Sequence, residues 1–237
     1  MKRSFDEPPA ARQLAVARNR KSVVQPDLWG RRLRHDTELE ACVARAYQLH
    51  PECSDIRSQP WTLCLDTGEI VSDPDAARAA GIRIGTNRAR WYTPDLEVYR
   101  RSAVSSIIEA KPESRLDRDA EKLLEVATLL EHHAIRFRVV TDQDLQPDGL
   151  RRNIALLYGY RRCGAAEQDT GERIRRNLQD WRGLRVPTVR DVGDVRDVIT
   201  AIAFGVIGAD LFGGALDACS PVFSATGTAD HLRILPL

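Results

Sequence analysis

The sequence predicts an α/β fold, a sheet flanked by helices, and three stretches carry that prediction. Ile107-Ile108-Glu109-Ala110-Lys111 and Ile135-Arg136-Phe137-Arg138-Val139-Val140 both read as strands. Between them, from Arg115 onward, Leu116, Ala120, Leu123, Leu124, Ala127 and Leu130 form one stripe of a long amphipathic helix. Strand, helix and strand in that order imply a right-handed crossover and a parallel or mixed pair. The product is a sheet with helices on its faces and its acidic residues at one edge.

The other elements follow from the same periodicities. Residues 1–34 hold Pro8-Pro9, scattered arginines and few apolar positions, and read as a basic, loosely ordered arm. Residues 36–49 form a helix with Leu39, Cys42, Val43 and Ala46 on an i, i+3, i+4, i+7 stripe. Trp61-Thr62-Leu63-Cys64-Leu65 alternates like a strand, Asp66-Thr67-Gly68 turns, and Glu69-Ile70-Val71 returns. Residues 73–89 are an insertion in which Asp75-Ala76-Ala77-Arg78 suits a short helix, and strands at about 90–99 and 104–111 come next. This first domain spans 35–146.

After Pro147 the chain is mostly helical. Asn153-Ile154-Ala155-Leu156-Leu157, Thr188-Val189-Arg190-Asp191-Val192 and 195–204 read as helices, and Cys219-Ser220-Pro221-Val222-Phe223 as a return strand. Helix, turn, helix and small hairpin is the order of a winged helix. Its second helix, 195–204, carries only Arg196 and Asp197 as charges, which suits protein docking or a structural role better than base reading. Residues 147–237 are thus expected to be a winged-helix-like, partner-binding domain.

Composition limits the function. A net charge of +1 leaves no global polycation, but charge is uneven: residues 1–35 hold nine Lys/Arg against three acids, and 151–190 ten arginines against four acids. Such patches neutralise phosphates locally; the plainer reading is a solvated arm and a solvated helix face. The five cysteines form no C-x-x-C pair and read as reduced thiols of a cytoplasmic protein. The start is polar and basic, unlike a signal peptide. The longest uncharged apolar run, 198–209, is too short for a bilayer core of about 30 Å. His132-His133 ends a helix and suits capping of its carbonyls rather than metal binding.

The chemistry concentrates in Trp91-Tyr92-Thr93-Pro94-Asp95 and in Glu109-Ala110-Lys111. Alternation puts Glu109 and Lys111 on one face and Ala110 on the other. Pairing of the two strands would bring Asp95 close to Glu109. Two carboxylates suit a hard cation such as Mg²⁺, and an ammonium beside them steadies an attacking water or a charged phosphate. Only Lys2, Lys21, Lys111 and Lys122 are lysines among 35 Lys plus Arg, so a lysine at this position is a choice against the chain's habit. Glu-x-Lys is also a common same-face ion pair, and Pro-Asp a common turn. Glu40 borders the stripe of the first helix and would lean over the sheet, but Thr37-x-x-Glu40 is equally a capping box.

Residues 38–60 read ELEACVARAYQLHPECSDIRSQP, followed by WTLCL, RWYTPDLEVYRR and SIIEAKPESRLD. Over about 30–225 this resembles the TnsA family, the endonuclease subunit of heteromeric transposases within the PD-(D/E)xK nuclease superfamily. Family members carry a helix glutamate, an aromatic-x-x-x-Asp-Pro turn, a Gln-Pro, a Tyr-Thr-Pro-Asp and a Glu/Gln-x-Lys-Pro. Here Leu49-His50-Pro51 replaces the aromatic-Asp-Pro turn. The resemblance implies a restriction-endonuclease-like fold with Glu40, Asp95, Glu109 and Lys111 as catalytic residues. Glu40, Asp95, Glu109 and the Ala110 carbonyl would hold Mg²⁺, with Mn²⁺ as a substitute. It implies nicking of double-stranded DNA at the 5′ ends of a transposon. The implied partners are a TnsB-like DDE recombinase and, through the carboxy-terminal domain, a TnsC-like AAA+ ATPase regulator. It implies a bacterial protein that joins the nucleoid when bound to DNA, with no membrane partner. The alternatives are a stand-alone nuclease of the same superfamily and a catalytically dispensable adaptor that docks DNA or an ATPase.

Overall fold

A computed structural model describes residues 23–72, 83–84, 87–101, 105–164, 168–225 and 229–237. The chain divides into two compact units, residues 1–44 with 54–142 and residues 45–53 with 143–237.

The first unit opens with a hairpin of β1 (Val23–Pro26) and β2 (Arg32–His35), paired antiparallel from Val23↔His35 to Pro26↔Arg32. This corrects the expectation of a loosely ordered arm for 23–34; residues 1–22 of that arm lie outside the described residues. The turn is built from polar groups rather than apolar ones. The Asp27 carboxylate accepts from the Trp29 and Arg31 backbone N–H groups and pairs with the Arg31 guanidinium, which reaches on to Asp55 and the Ile56 carbonyl. Helix α1 (Glu38–Leu49) follows.

The central sheet has four strands in the order β11-β10-β9-β3, comprising β3 (Cys53–Ser58), β9 (Leu96–Arg100), β10 (Ser105–Lys111) and β11 (Arg136–Thr141). β10 runs parallel to β11, with Glu109↔Val139 and Lys111↔Thr141, and antiparallel to β9, with Ile107↔Glu97 and Ile108↔Leu96. The sheet is therefore mixed, and the protein is α/β. Its acids do not lie at an edge as expected: β9 and β10 are the two inner strands. Strand β3 supplies the outer position, and its polar sequence CSDIRS hid it from periodicity.

A second sheet holds β4 (Thr62–Cys64), β5 (Ile70–Val71) and β8 (Trp91–Tyr92) in the order β5-β4-β8. The strand expected at 90–99 is thus two strands in two sheets. Pro94 has no N–H to continue a ladder, and Thr93-Pro94-Asp95 carries the chain from one sheet to the other. In the expected insertion 73–89, β6 (Arg83–Ile84) pairs with β7 (Asn87–Arg88), and the short helix expected at 75–78 lies outside the described residues.

Between β10 and β11 lies helix α2 (Leu116–His132), preceded by a 3-10 turn at Glu113–Arg115. Its buried residues are Val126 and Leu130, packed with Leu63, Leu65, Tyr92 and Ile107. The expected stripe is off by part of a turn, since Leu124 is 70 % exposed. Ile107, Glu109 and Lys111 alternate along one face of β10, so this apolar core ends where the charged residues begin. At the end of α2, His132 Nδ1 lies 2.8 Å from the Thr128 carbonyl and His133 Nε2 2.7 Å from that of Gly68.

The second unit holds α3 (Asp148–Cys163), α4 (Gln168–Gln179), α5 (Val189–Val192) and α6 (Val195–Ala203), then an antiparallel pair, β12 (Ile207–Ala209) and β13 (Val222–Ser224). Its core includes Leu150, Ile154, Leu157, Ile174, Val198 and Ile202. Buried Asn153 fixes the β12–β13 connection by donating to the Leu211 and Gly214 carbonyls and accepting from the Leu216 N–H. Among the described residues no helix is long and apolar enough to cross a membrane.

Candidate active site

The two inner strands meet at their functional ends through one side chain. The β9–β10 ladder stops at Ile108↔Leu96. Two residues further on, the Ala110 N–H donates to Asp95 Oδ2 at 2.9 Å, so the Asp95 carboxylate takes the bond that a backbone carbonyl would have taken. Pro94 and Asp95 lie in the connection between β8 and β9, directly before β9 begins, which places the carboxylate at that point.

Glu109 follows Ile107 on the same face and is only 4 % exposed. An isolated carboxylate at that depth is strongly unfavourable, so it is paired. Tyr92 donates its hydroxyl to Glu109 Oε2 at 2.7 Å, and Lys111 Nζ lies 2.9 Å from Oε1. Lys111 is also 3.6 Å from Asp119, which sits in the first turn of α2. Burial pushes the lysine pKa down, but the charge and hydrogen bond of Glu109, then Asp95 and Asp119, outweigh it. The net shift is upward, so the ammonium stays charged.

Asp95, Glu109 and Lys111 are therefore brought together. Glu40 is 6 % exposed, and its carboxylate accepts from the Asp36 N–H at 2.8 Å and the Thr37 hydroxyl at 3.0 Å, while the Glu40 N–H donates to Thr37 Oγ1. The Thr37 hydroxyl caps the Glu40 N–H as in a capping box, while the Glu40 carboxylate reaches one residue further back, to the Asp36 N–H. Among the described residues no three His, Cys, Asp or Glu side chains form a group able to hold a metal. Asp95 and Glu109 lie at the ends of β9 and β10 beside Lys111, and the Glu40 carboxylate bonds Asp36 and Thr37 at the start of α1.

Sequence reasoning did not assign Tyr92, Asp119 or Gln59. Tyr92 stands inside the quoted motif, but its role depends on a hydroxyl reaching a strand that follows it by 17 positions. Its ring packs edge-on to Phe137 and lies under the Lys122 ammonium at 5.5 Å. Asp119 enters the site only because Pro112 and the 3-10 turn start α2 directly after Lys111. Gln59 directly follows β3 and donates its backbone N–H to the Asp95 carbonyl at 3.0 Å.

The donor set suits a hard cation. Mg²⁺ is commonly held by one or two carboxylates, with water and substrate phosphate completing its shell. A cation, the Lys111 ammonium, already balances Glu109 and Asp119. No protein-family model matches the chain, and no curated protein matches it.

Proposed function

We propose that this chain is a divalent-metal-dependent DNA endonuclease with a restriction-endonuclease-like first unit, acting as the TnsA-like subunit of a heteromeric transposase. Its main support is the junction at the ends of β9 and β10, where Asp95 accepts from the Ala110 N–H beside the Glu109–Lys111 ion pair. Asp95, Glu109 and the Ala110 carbonyl would hold Mg²⁺ or Mn²⁺. When bound, the ion supplies Lewis-acid polarisation of the phosphate and lowers the pKa of a water.

The chain's own groups do the rest. Lys111 stabilises the charge that grows on the non-bridging phosphate oxygens. Tyr92 and Lys111 fix the orientation of Glu109, as second partners of a ligand carboxylate do. In the hydrolysis, a water oxygen bonds to phosphorus and the P–O3′ bond breaks. The water's proton is released to solvent and the departing 3′ oxygen gains one, leaving a 3′-hydroxyl and a 5′-phosphate. Glu40 joins this set only by giving up its bonds to Asp36 and Thr37. A DDE-type recombinase would process the other strand at the transposon ends. The second unit, read as winged-helix-like, would dock the AAA+ regulator.

A second reading is a catalytically dispensable adaptor. It is favoured by the engagement of both Glu109 oxygens within the chain and by the capping role of Glu40. The two readings separate in a reconstituted reaction with recombinase, ATPase regulator, a transposon-end duplex and Mg²⁺. The nuclease reading expects Asp95→Ala to abolish 5′-end nicking while the complex still assembles. Full end cleavage by Asp95→Ala would falsify it. Metal-dependent nicking by the purified chain alone would instead favour a stand-alone nuclease.

A further inference from the structure

Among the described residues, two that are not glycine have a left-handed backbone: Ala134, φ +56°, and Gln59, φ +47°. Ala134 is explained by its helix. Its N–H donates to the Glu131 carbonyl and the Ile135 N–H to that of Leu130, the bonding that closes a helix end through a left-handed residue. Gln59 has no such reason. It lies directly after the last residue of β3 and precedes Pro60, which favours an extended conformation for the residue before it. It is also 3 % exposed, and its side-chain Nε2 is fully buried without a hydrogen-bond partner. A buried amide donor left unpaired is destabilising, and so is a left-handed backbone at a residue with a Cβ. Both penalties fall on the one residue whose backbone N–H is bound to the carbonyl of Asp95.

We infer that Gln59 is a substrate-contacting residue of this site, an inference that rests on the nuclease reading. Its amide N–H₂ is a donor with no acceptor capacity of its own, so it calls for an oxygen. The oxygens that reaction brings beside Asp95 are those of the scissile phosphate and of the attacking water. Strain and unpaired polarity persist at such positions when they serve binding or chemistry.

The test measures thermal stability, Mn²⁺ affinity and end cleavage in the same reconstituted reaction. The variants are Gln59→Leu, Gln59→Gly, Gln59→Glu, Ala134→Gly and Asp95→Ala. Gln59→Leu removes the unpaired donor and Gln59→Gly relieves the backbone. Both are expected to melt at or above the wild-type temperature, by up to about 2–4 °C, to bind Mn²⁺ normally, and to lose about 10²-fold in cleavage. Gln59→Glu, which replaces the donor by an acceptor, is expected to lose as much. A loss in kcat at unchanged KM assigns the contact to the water or to charge developing on the phosphate; a raised KM assigns it to a ground-state phosphate oxygen. Ala134→Gly is the control, with raised stability and full cleavage. Full cleavage by Gln59→Leu while Asp95→Ala is inactive overturns the Gln59 inference alone. The same holds if Gln59→Leu and Gln59→Gly both melt several degrees lower and lose cleavage only in proportion. Full cleavage by Asp95→Ala overturns the nuclease reading together with it.

Discussion

Glu109 and Glu40 are two carboxylates buried to almost the same depth, 4 % and 6 % exposed, in two regions that treat them differently. At the start of α1, Glu40 is held by a backbone N–H and a hydroxyl close by in sequence, Asp36 and Thr37. At the end of β10, Glu109 is held by a hydroxyl from another sheet and by the ammonium on its own strand face, with Asp95 bound to the residue between them. Burial does not separate these two glutamates. The difference lies in the bonds seen at each: a backbone N–H and a hydroxyl at the start of a helix for Glu40, and groups that converge from several elements and leave carboxylates beside a cation for Glu109. A buried acid of the second kind is the better candidate for chemistry.

The largest effect that would break this comparison is at the site itself. Asp95→Ala and Glu109→Ala are each expected to abolish metal-dependent cleavage with the fold retained, read by end nicking alongside circular dichroism. Tyr92→Phe removes one hydrogen bond to Glu109 and keeps the ring. It should weaken Mn²⁺ binding by about 10-fold or more, as loss of a ligand's outer partner does, measurable by calorimetric titration. Glu40→Ala tests the other side. Loss of the cap should lower stability by about 1 kcal/mol in a denaturant titration, with cleavage retained in the folded fraction. Loss of cleavage with unchanged stability would move Glu40 into the active set.

The smallest effect sharpens the comparison in the second unit, where Asp191 caps α5 as Glu40 caps α1. The Thr188 hydroxyl, then Arg185 and the Thr188 N–H, hold its carboxyl down at about 2, against 3.8 ordinarily. A depressed carboxyl stabilises the fold above its unfolded pKa and loses that contribution as pH falls through its folded pKa. Asp191→Asn is therefore expected to melt below wild type at pH 7, with the gap narrowing between about pH 4 and 2. A gap constant over that window would rule out the assigned ionisation.

Much of the central sheet was legible because its apolar residues speak locally. Ile107-Ile108 and the alternation of 135–140 identify β10 and β11, and the same alternation puts Glu109 and Lys111 on one face. What stayed hidden depends on polar or distant groups. The β1–β2 hairpin is set by Asp27 and Arg31 rather than by an apolar stripe, and β3 is polar while forming the outer strand. Without β3, the acids read as edge residues. The role of Glu40 was undecided because a capping box and a metal-leaning glutamate have the same sequence. Tyr92 and Asp119 could not be assigned because each reaches Glu109 or Lys111 only through the tertiary fold.

The most direct test is diffraction from crystals soaked in millimolar Mn²⁺, without and with a bound duplex. The expected result is an anomalous peak ligated by Asp95 and Glu109, with Lys111 close by. If neither crystal shows a peak at those two carboxylates, the claim that the ends of β9 and β10 form a metal-dependent nuclease centre is contradicted.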